Sequence, residues 1–241
     1  MILSDKHIVL THCGSADSFQ SLKEYGASLH HYPMIDIVSN SDIKLFSLSD
    51  FDYYIFTSKN GVNSFFNLDF VKGKTINAIC LGEKTKGALT KNGVVPVFVS
   101  TESYADNLIA ELADNQMVNA KKVLLVLGNL ADNRIEEVLK SICEVNRLDV
   151  YNTFLESSKK EVITTLLGAE DTLSIFTSPS AFQAFSALYN ANKTTLVSIG
   201  TTTSEYIKSK GFIAEIIADE QTYEGISKAI INHYETKNIR I

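Results

Sequence analysis

The chain is predicted to be an α/β protein of two similar lobes, each built on a parallel sheet, and three observations predict it. The sequence nearly repeats itself. YIFTSKNGVNSFF at 54–66 matches SIFTSPSAFQAFS at 174–186, with Phe56 and Phe176 120 positions apart, and ICLGEKTKGALTKNG at 79–93 matches VSIGTTTSEYIKSKG at 197–211, with Gly82 and Gly200 118 apart. Short apolar, β-branched runs alternate with longer amphipathic stretches, the pattern of a parallel sheet covered on both faces. Finally, Lys-Asn-Gly93 and Ser-Lys-Gly211 each close a helical pattern with a glycine suited to the left-handed stop, just before the next apolar run.

Taken in order, the strand-like runs are Ile8–Thr11, Ser28–His31, Tyr53–Phe56, Ile76–Leu81, Val94–Phe98, Val123–Leu127, Leu173–Phe176, Leu196–Ile199 and Phe212–Ile217. Helical spacing lies between them, as in Leu108, Ile109, Leu112 and in Ile226, Ala229, Ile230. A looser match pairs Ser103-Tyr104 with Thr222-Tyr223, each opening an amphipathic stretch. A second, weaker repeat lies outside the first: 6–33 and 121–151 both run strand, helix, strand, and end near Tyr32-Pro33 and Val150-Tyr151. The chain therefore reads short module, long module, short module, long module. Two five-stranded lobes result if sequential modules combine, or if the first short module joins the last long one while the middle two pair. The crossed arrangement makes 33–40 and 148–154 a double linker. The pattern accommodates both.

A length of 241 residues suits two ordinary domains, and 45% hydrophobic with 21% charged residues suits a sizeable core. The net charge of −6 and a pI of about 5.4 argue against a nucleic-acid footprint. Cys13, Cys80 and Cys143 are few and scattered, so they read as reduced core thiols. The start, MILSDKHIVL, is broken by Asp5, Lys6 and His7 and lacks the apolar core of a signal peptide. No run approaches the ~18 apolar residues of a membrane span. The expectation is a cytoplasmic protein, monomeric because no long exposed apolar stripe stands out.

Candidate chemistry gathers where an apolar strand ends and a helix begins. Thr57-Ser58 precede Lys59-Asn60-Gly61, and Thr177-Ser178 precede Pro179-Ser180. Gly82 precedes Thr85, and Gly200 precedes Thr201-Thr202-Thr203. In a parallel sheet these turns share the carboxyl edge, where ligands of such folds bind. Uncapped N–H groups and the positive helix end there suit carboxylates or phosphates. The plain alternative is that these hydroxyls only cap helices. No G-x-G-x-x-G, H-E-x-x-H or G-x-S-x-G motif occurs, and the P-loop-like spacing from Gly82 has Ala88 where lysine belongs. No metal or cofactor is expected. His7, His12, His30, His31 and His233 are scattered, with His30 and His31 on opposite faces of one strand. Tyr151 ends a short module at the expected hinge, which directs its hydroxyl toward a cleft between the lobes.

The IFTS runs before aromatic helices, the IG-TTT helix start, Asp149-Val-Tyr-Asn-Thr153 and Thr222-Tyr-Glu-Gly-Ile226 together resemble uroporphyrinogen-III synthase, from Ile8 to about Ile231. The resemblance implies the crossed arrangement: flavodoxin-like lobes at 1–37 plus 152–241 and at 39–149, joined by a two-stranded linker near 33–40 and 148–154. It implies cyclisation of hydroxymethylbilane, a linear tetrapyrrole polycarboxylate, with inversion of ring D and loss of water, and without metal or cofactor. A bilane that closes unaided to the symmetric isomer chiefly needs orienting, which can supply ~7–11 kcal/mol of a barrier. On this resemblance Tyr151 assists the leaving hydroxyl, while Thr57, Ser58, Thr85, Ser178, Ser180, Thr202 and Thr203 bind carboxylates through helix starts. Many members carry an arginine after the first strand's threonine, where this chain has Thr11-His12, and Gly128-Asn129…Arg134 matches the family's glycine-rich turn and arginine only loosely. A reading from another class is a non-catalytic two-lobed module that closes on an anionic metabolite.

Overall fold

The fold is taken from a computed structural model, which describes residues 1–41, 43, 50–101, 105–169 and 171–239. Ser103 and Tyr104 lie outside the described residues. The chain divides into two units, one of residues 1–36 with 154–241 and one of 37–153.

The first unit holds β1 (His7–Leu10), α1 (Gln20–Glu24), β2 (Ser28–His31), α6 (Glu161–Leu166), β9 (Thr172–Phe176), α7 (Pro179–Leu188), β10 (Thr195–Ser198), α8 (Thr201–Ser209), β11 (Ile216–Ile217) and α9 (Tyr223–Ile239). Its sheet runs β11-β10-β9-β1-β2 with every pair parallel. His7 stands opposite Thr172 and Leu10 opposite Ile175, so neighbouring strands of this sheet come from well-separated parts of the sequence. Alternate residues serve opposite faces. Ile8, Leu10, Leu173, Ile175 and Val197 form one cluster with Leu22 of α1 and Ile226 and Ile230 of α9. Phe176 meets Phe182 and Phe185 of α7 edge-on, each at 5.2 Å between ring centroids.

The second unit holds β4 (Tyr53–Phe56), α2 (Lys59–Phe66), β5 (Ala78–Leu81), α3 (Gly82–Lys91), β6 (Phe98–Ser100), α4 (Ala105–Asp114), β7 (Lys122–Gly128) and α5 (Arg134–Leu139), with β3 (Ile35–Ser39) and β8 (Glu144–Leu155) running across its two chain boundaries. The sheet order is β3-β8-β7-β4-β5-β6, and the registers from β8 to β6 are parallel. Tyr54 and Phe56 pack with Val62 and Phe65 of α2, whereas Ile55 packs with Leu108, Leu112, Ile135 and Leu139 of α4 and α5. Helices on both faces explain strands that are apolar without interruption. The predicted α/β class with parallel sheets is what the structure shows.

The two glycine stops are Schellman turns. Gly93 (φ 78°) and Gly211 (φ 84°) adopt the left-handed conformation, and Val94 N–H donates to Leu89 O at 3.0 Å and Phe212 N–H to Ile207 O at 3.2 Å. Three expectations need correction. The run 94–98 pairs only from its end, because Pro96 lacks an N–H and keeps the segment before it out of the ladder; the strand is Phe98–Ser100. Phe212 closes a helix turn instead of opening a strand, so β11 keeps only two residues. Cys13 is exposed and not a core thiol, since it lies in the turn after β1, while Cys80 is buried and Cys143 half-buried.

Candidate functional site

Each parallel sheet has one place where strand order reverses: between β1 and β9 in the first unit, and between β7 and β4 in the second. The crevice beyond the carboxyl ends of the flanking strands is where such sheets bind ligands. Thr57-Ser58 and Ser178-Ser180 follow β4 and β9, which flank the reversals, whereas Thr85 and Thr202-Thr203 follow the next strands out, β5 and β10.

In the second unit β4 ends at Phe56, and half-buried Thr57 and Ser58 lead into α2. Ser58 is the N-cap: its Oγ accepts the Gly61 N–H at 3.0 Å. Gly61 lets the helix pass close to β7, since a Cβ there would lie 3.2 Å from Val126 O. The Tyr151 hydroxyl is 3.4 Å from the same Ser58 Oγ, so these two predicted residues are brought together. At the next strand end Leu81 is the N-cap of α3 and contributes no side-chain hydrogen bond, and Gly82 takes φ 72° to make the turn. Thr85, in the first turn of that helix, is buried.

The first unit repeats this plan. Ser178 caps α7 through Ala181 N–H at 3.3 Å, with Pro179 in the first turn, and its Oγ lies 3.1 Å from Ser180 Oγ. Gly200 is the N-cap of α8, again without a side-chain cap bond. Thr203, the counterpart of Thr85, is equally buried at 3% exposed, whereas Thr202 is exposed. The serines are therefore caps in the full sense, and of these four helices α3, which begins at Gly82, and α8, which follows Gly200, lack a capping side chain. Ser198, at the end of β10, was missed by sequence reasoning. Its Oγ is fully buried and has no partner among the described residues, at the place where the first repeat carries the equally buried Cys80. A polar residue in a strand end that the repeat fills with an apolar one was the available signal.

The position after the first strand's threonine carries no outward cation. Thr11 is buried and donates from Oγ1 to Ile175 O at 2.6 Å. His12 is 2% exposed, with its Nε2 3.1 Å from Ser15 O and its ring about 5 Å from those of Phe19, His31 and Tyr223. Burial, then the nearness of Cys13 and Glu224, pushes the Tyr223 hydroxyl above its usual pKa. The Thr222-Tyr-Glu-Gly run is structural: Thr222 Oγ1 accepts Gly225 N–H at 2.8 Å, and a Cβ on Gly225 would sit 2.2 Å from Glu220 O.

The turn after β7 is held by an arginine that the sequence did not single out. Arg134 pairs with Asp106 at the surface. Arg147 of β8 instead donates from Nη2 to Gly128 O at 3.2 Å and Ala131 O at 3.1 Å, and from Nη1 to Asn133 Oδ1 at 2.8 Å. Among the described residues no three His, Cys, Asp or Glu side chains gather into a metal site, and no helix is long and apolar enough to cross a membrane. Each unit by itself offers main-chain donors and hydroxyls at its strand-order reversal, with a tyrosine beside that of the second unit, groups of the kind that suit a carboxylate.

A family model described as uroporphyrinogen-III synthase HemD matches residues 17–228. The chain is 26% identical over 225 residues to the porphyrin biosynthesis protein HemD of Ruminiclostridium josui, covering 86% of this chain and 44% of that protein. It thus spans less than half the length of that relative. It is 28% identical over 233 residues to the uroporphyrinogen-III synthase of Chlorobaculum parvum, covering 90% of this chain and 93% of that one. The crystal structure of uroporphyrinogen-III synthetase from Helicobacter pylori shares the fold, with a TM-score of 0.68 at 20% identity over 95% of this chain and 99% of that one.

Proposed function

Because the chain belongs to the uroporphyrinogen-III synthase family, we propose that it cyclises hydroxymethylbilane to uroporphyrinogen III, inverting ring D and releasing water. The observation that carries this reading is the family match across residues 17–228. The site supports it chemically. A linear tetrapyrrole with carboxylate arms needs several anion-holding points and few reactive groups, and helix starts supply main-chain donors without a basic pocket. This suits a chain of net charge −6, although long-range steering then opposes capture.

In this reading the bond between the terminal methylene and its hydroxyl breaks, and the hydroxyl leaves as water after taking a proton. Tyr151 hydrogen-bonds or protonates that oxygen, a contribution of typically ~10²–10⁴-fold for a well-placed acid. Thr57, Ser58 and Thr85 in the second unit, and Ser178, Ser180, Thr202 and Thr203 in the first, mark the helix starts that hold the carboxylates. The α-carbon of ring D that already carries the ring C methylene attacks the freed methylene to give a spirocyclic intermediate. Its older bond to the ring C methylene then breaks and re-forms at ring D's free α-carbon, which loses its proton, so ring D is inverted and the net loss is water. The protein acts in the cytoplasm as a monomer.

The test is direct. Freshly made bilane is incubated with the protein, the products are oxidised, and the isomers are separated. Isomer III should replace isomer I. A product distribution equal to that without protein rejects the reading and leaves a binding module in its place.

A further inference from the structure

Two strands that run in step for six residues and then slip by one place mark an unusual spot in the second unit. From Lys122 opposite Glu144 to Leu127 opposite Asp149 the pairing of β7 and β8 is one to one, but Gly128 pairs with Tyr151, leaving Val150 as the extra residue of a bulge. Bulges re-aim side chains, often beside active sites. Here the consequence is visible in the packing. Val150 and Tyr151 both pack against the cluster around Phe56, which strict alternation along a strand would forbid.

The re-aimed ring lies on the glycine. A Cβ added to Gly128 would fall 2.3 Å from Cζ, 2.4 Å from Cε2 and 2.8 Å from Cε1 of Tyr151, all at the hydroxyl end of the ring. Gly128 is not among the glycines with positive φ, so its backbone would accept a side chain. The three atoms nearest to such a Cβ all belong to the ring, which excludes it. The turn under the ring is fixed by Arg147, whose guanidinium holds Gly128 O and Ala131 O from Nη2, Asn133 Oδ1 from Nη1 and Asp149 Oδ1 from Nε at 2.9 Å. Asn129 N–H donates to Tyr151 O at 3.1 Å, and Asn129 Oδ1 accepts Thr153 N–H at 2.8 Å, which closes the turn back onto the strand. The hydroxyl itself lies 3.4 Å from Ser58 Oγ.

We propose that Gly128 and Arg147 are positioning residues for Tyr151: the glycine is the seat for the phenol ring, and the arginine holds that seat rigid, so that the hydroxyl stands at the place the reaction requires. The proposal rests on the reading that the chain is a synthase in which the Tyr151 hydroxyl acts on the departing oxygen. A methyl group at 128 displaces the ring by about the overlap it creates, and a misplacement of ~1 Å can lower a rate ~10²-fold.

The test is a double-mutant cycle of Gly128→Ala with Tyr151→Phe, reading kcat, KM and urea midpoint for all four proteins. The clash with the ring is the same for Tyr and Phe, so the shift in midpoint caused by Gly128→Ala should be equal in both backgrounds. The kcat loss should not be: about 10²-fold with Tyr151 present, with KM changed less than about threefold, and less than about threefold in kcat once the hydroxyl is gone. A purely structural role gives equal kcat losses in both backgrounds and overturns the proposal, as does an unchanged kcat in Gly128→Ala. Should Gly128→Ala fail to fold, Arg147→Lys, which cannot grip two carbonyls and two side chains with one planar fork, carries the same cycle and the same expectation. Failure of the underlying reading shows separately, as a wild-type protein that makes no isomer III or a Tyr151→Phe protein with full kcat, and either withdraws the pair's role with it.

Discussion

Ser178 separates a helix cap from a carboxylate holder, because two substitutions keep the first property and only one keeps the second. Its Oγ accepts Ala181 N–H at 3.3 Å at the start of α7. Asn and Asp cap about as well as Ser, so Ser178→Asn and Ser178→Asp should each stay within about 0.5 kcal/mol of the parent, whereas Ser178→Ala should lose about 1 kcal/mol. For a chain of this size that loss corresponds to roughly 2–4 °C in Tm. Asp adds a negative charge where a substrate carboxylate is expected. At about 4 Å the repulsion is ~1 kcal/mol in bulk water and ~4 kcal/mol at the effective dielectric of a protein surface. KM should therefore rise between about 5-fold and about 1,000-fold for Asp relative to Asn. The assay is initial-rate formation of isomer III over a range of bilane concentrations, at low and high salt, alongside thermal unfolding. Screening should shrink the gap between the two variants as salt rises. Equal KM values for Asp and Asn in folded proteins would refute the assignment and leave Ser178 a structural cap.

Two further outcomes concern stability. His30 on β2 lies 3.1 Å from His7, ring nitrogen to ring nitrogen, and burial first, then the charge of His7, lowers its pKa below the ordinary 6.5. Over the window between its folded pKa and 6.5 the unfolded chain binds the extra proton, so stability is full above 6.5 and falls as pH drops through that window. Urea midpoints at pH 7.5 and 5.5 should differ more in the parent than in His30→Asn; an equal difference in the two proteins removes the His7–His30 pair as the cause. Phe176 is fully buried between Phe182 and Phe185, so Phe176→Ala should cost about 3–5 kcal/mol in chemical denaturation, and a loss below about 1 kcal/mol would contradict the packing described for that face of the sheet.

The local features of this chain were legible in its residues. Ser58 and Ser178 announce helix starts, and Gly93 and Gly211 announce helix ends. Runs such as Tyr53–Phe56 and Leu173–Phe176 announce strands buried on both faces, because these choices are set by a few neighbouring dihedrals and by whether both sides of a strand meet apolar partners. Pro96 could have warned that the run from Val94 starts too early, since the missing N–H is written in the sequence. Other features had no local signal. Arg147 and Arg134 look alike along the chain, and only the carbonyls of Gly128 and Ala131, brought within reach by the return of β8, distinguish the one that grips the turn. The bulge that sets Tyr151 on Gly128 is a property of two strands in register and of neither alone. Above all, modules with the same apolar pattern can pair in more than one way. Alternation decides which side of a strand is buried, not which distant strand lies beside it. That β1 lies against β9, with His7 opposite Thr172, was decided only when helices and both sheet faces packed together.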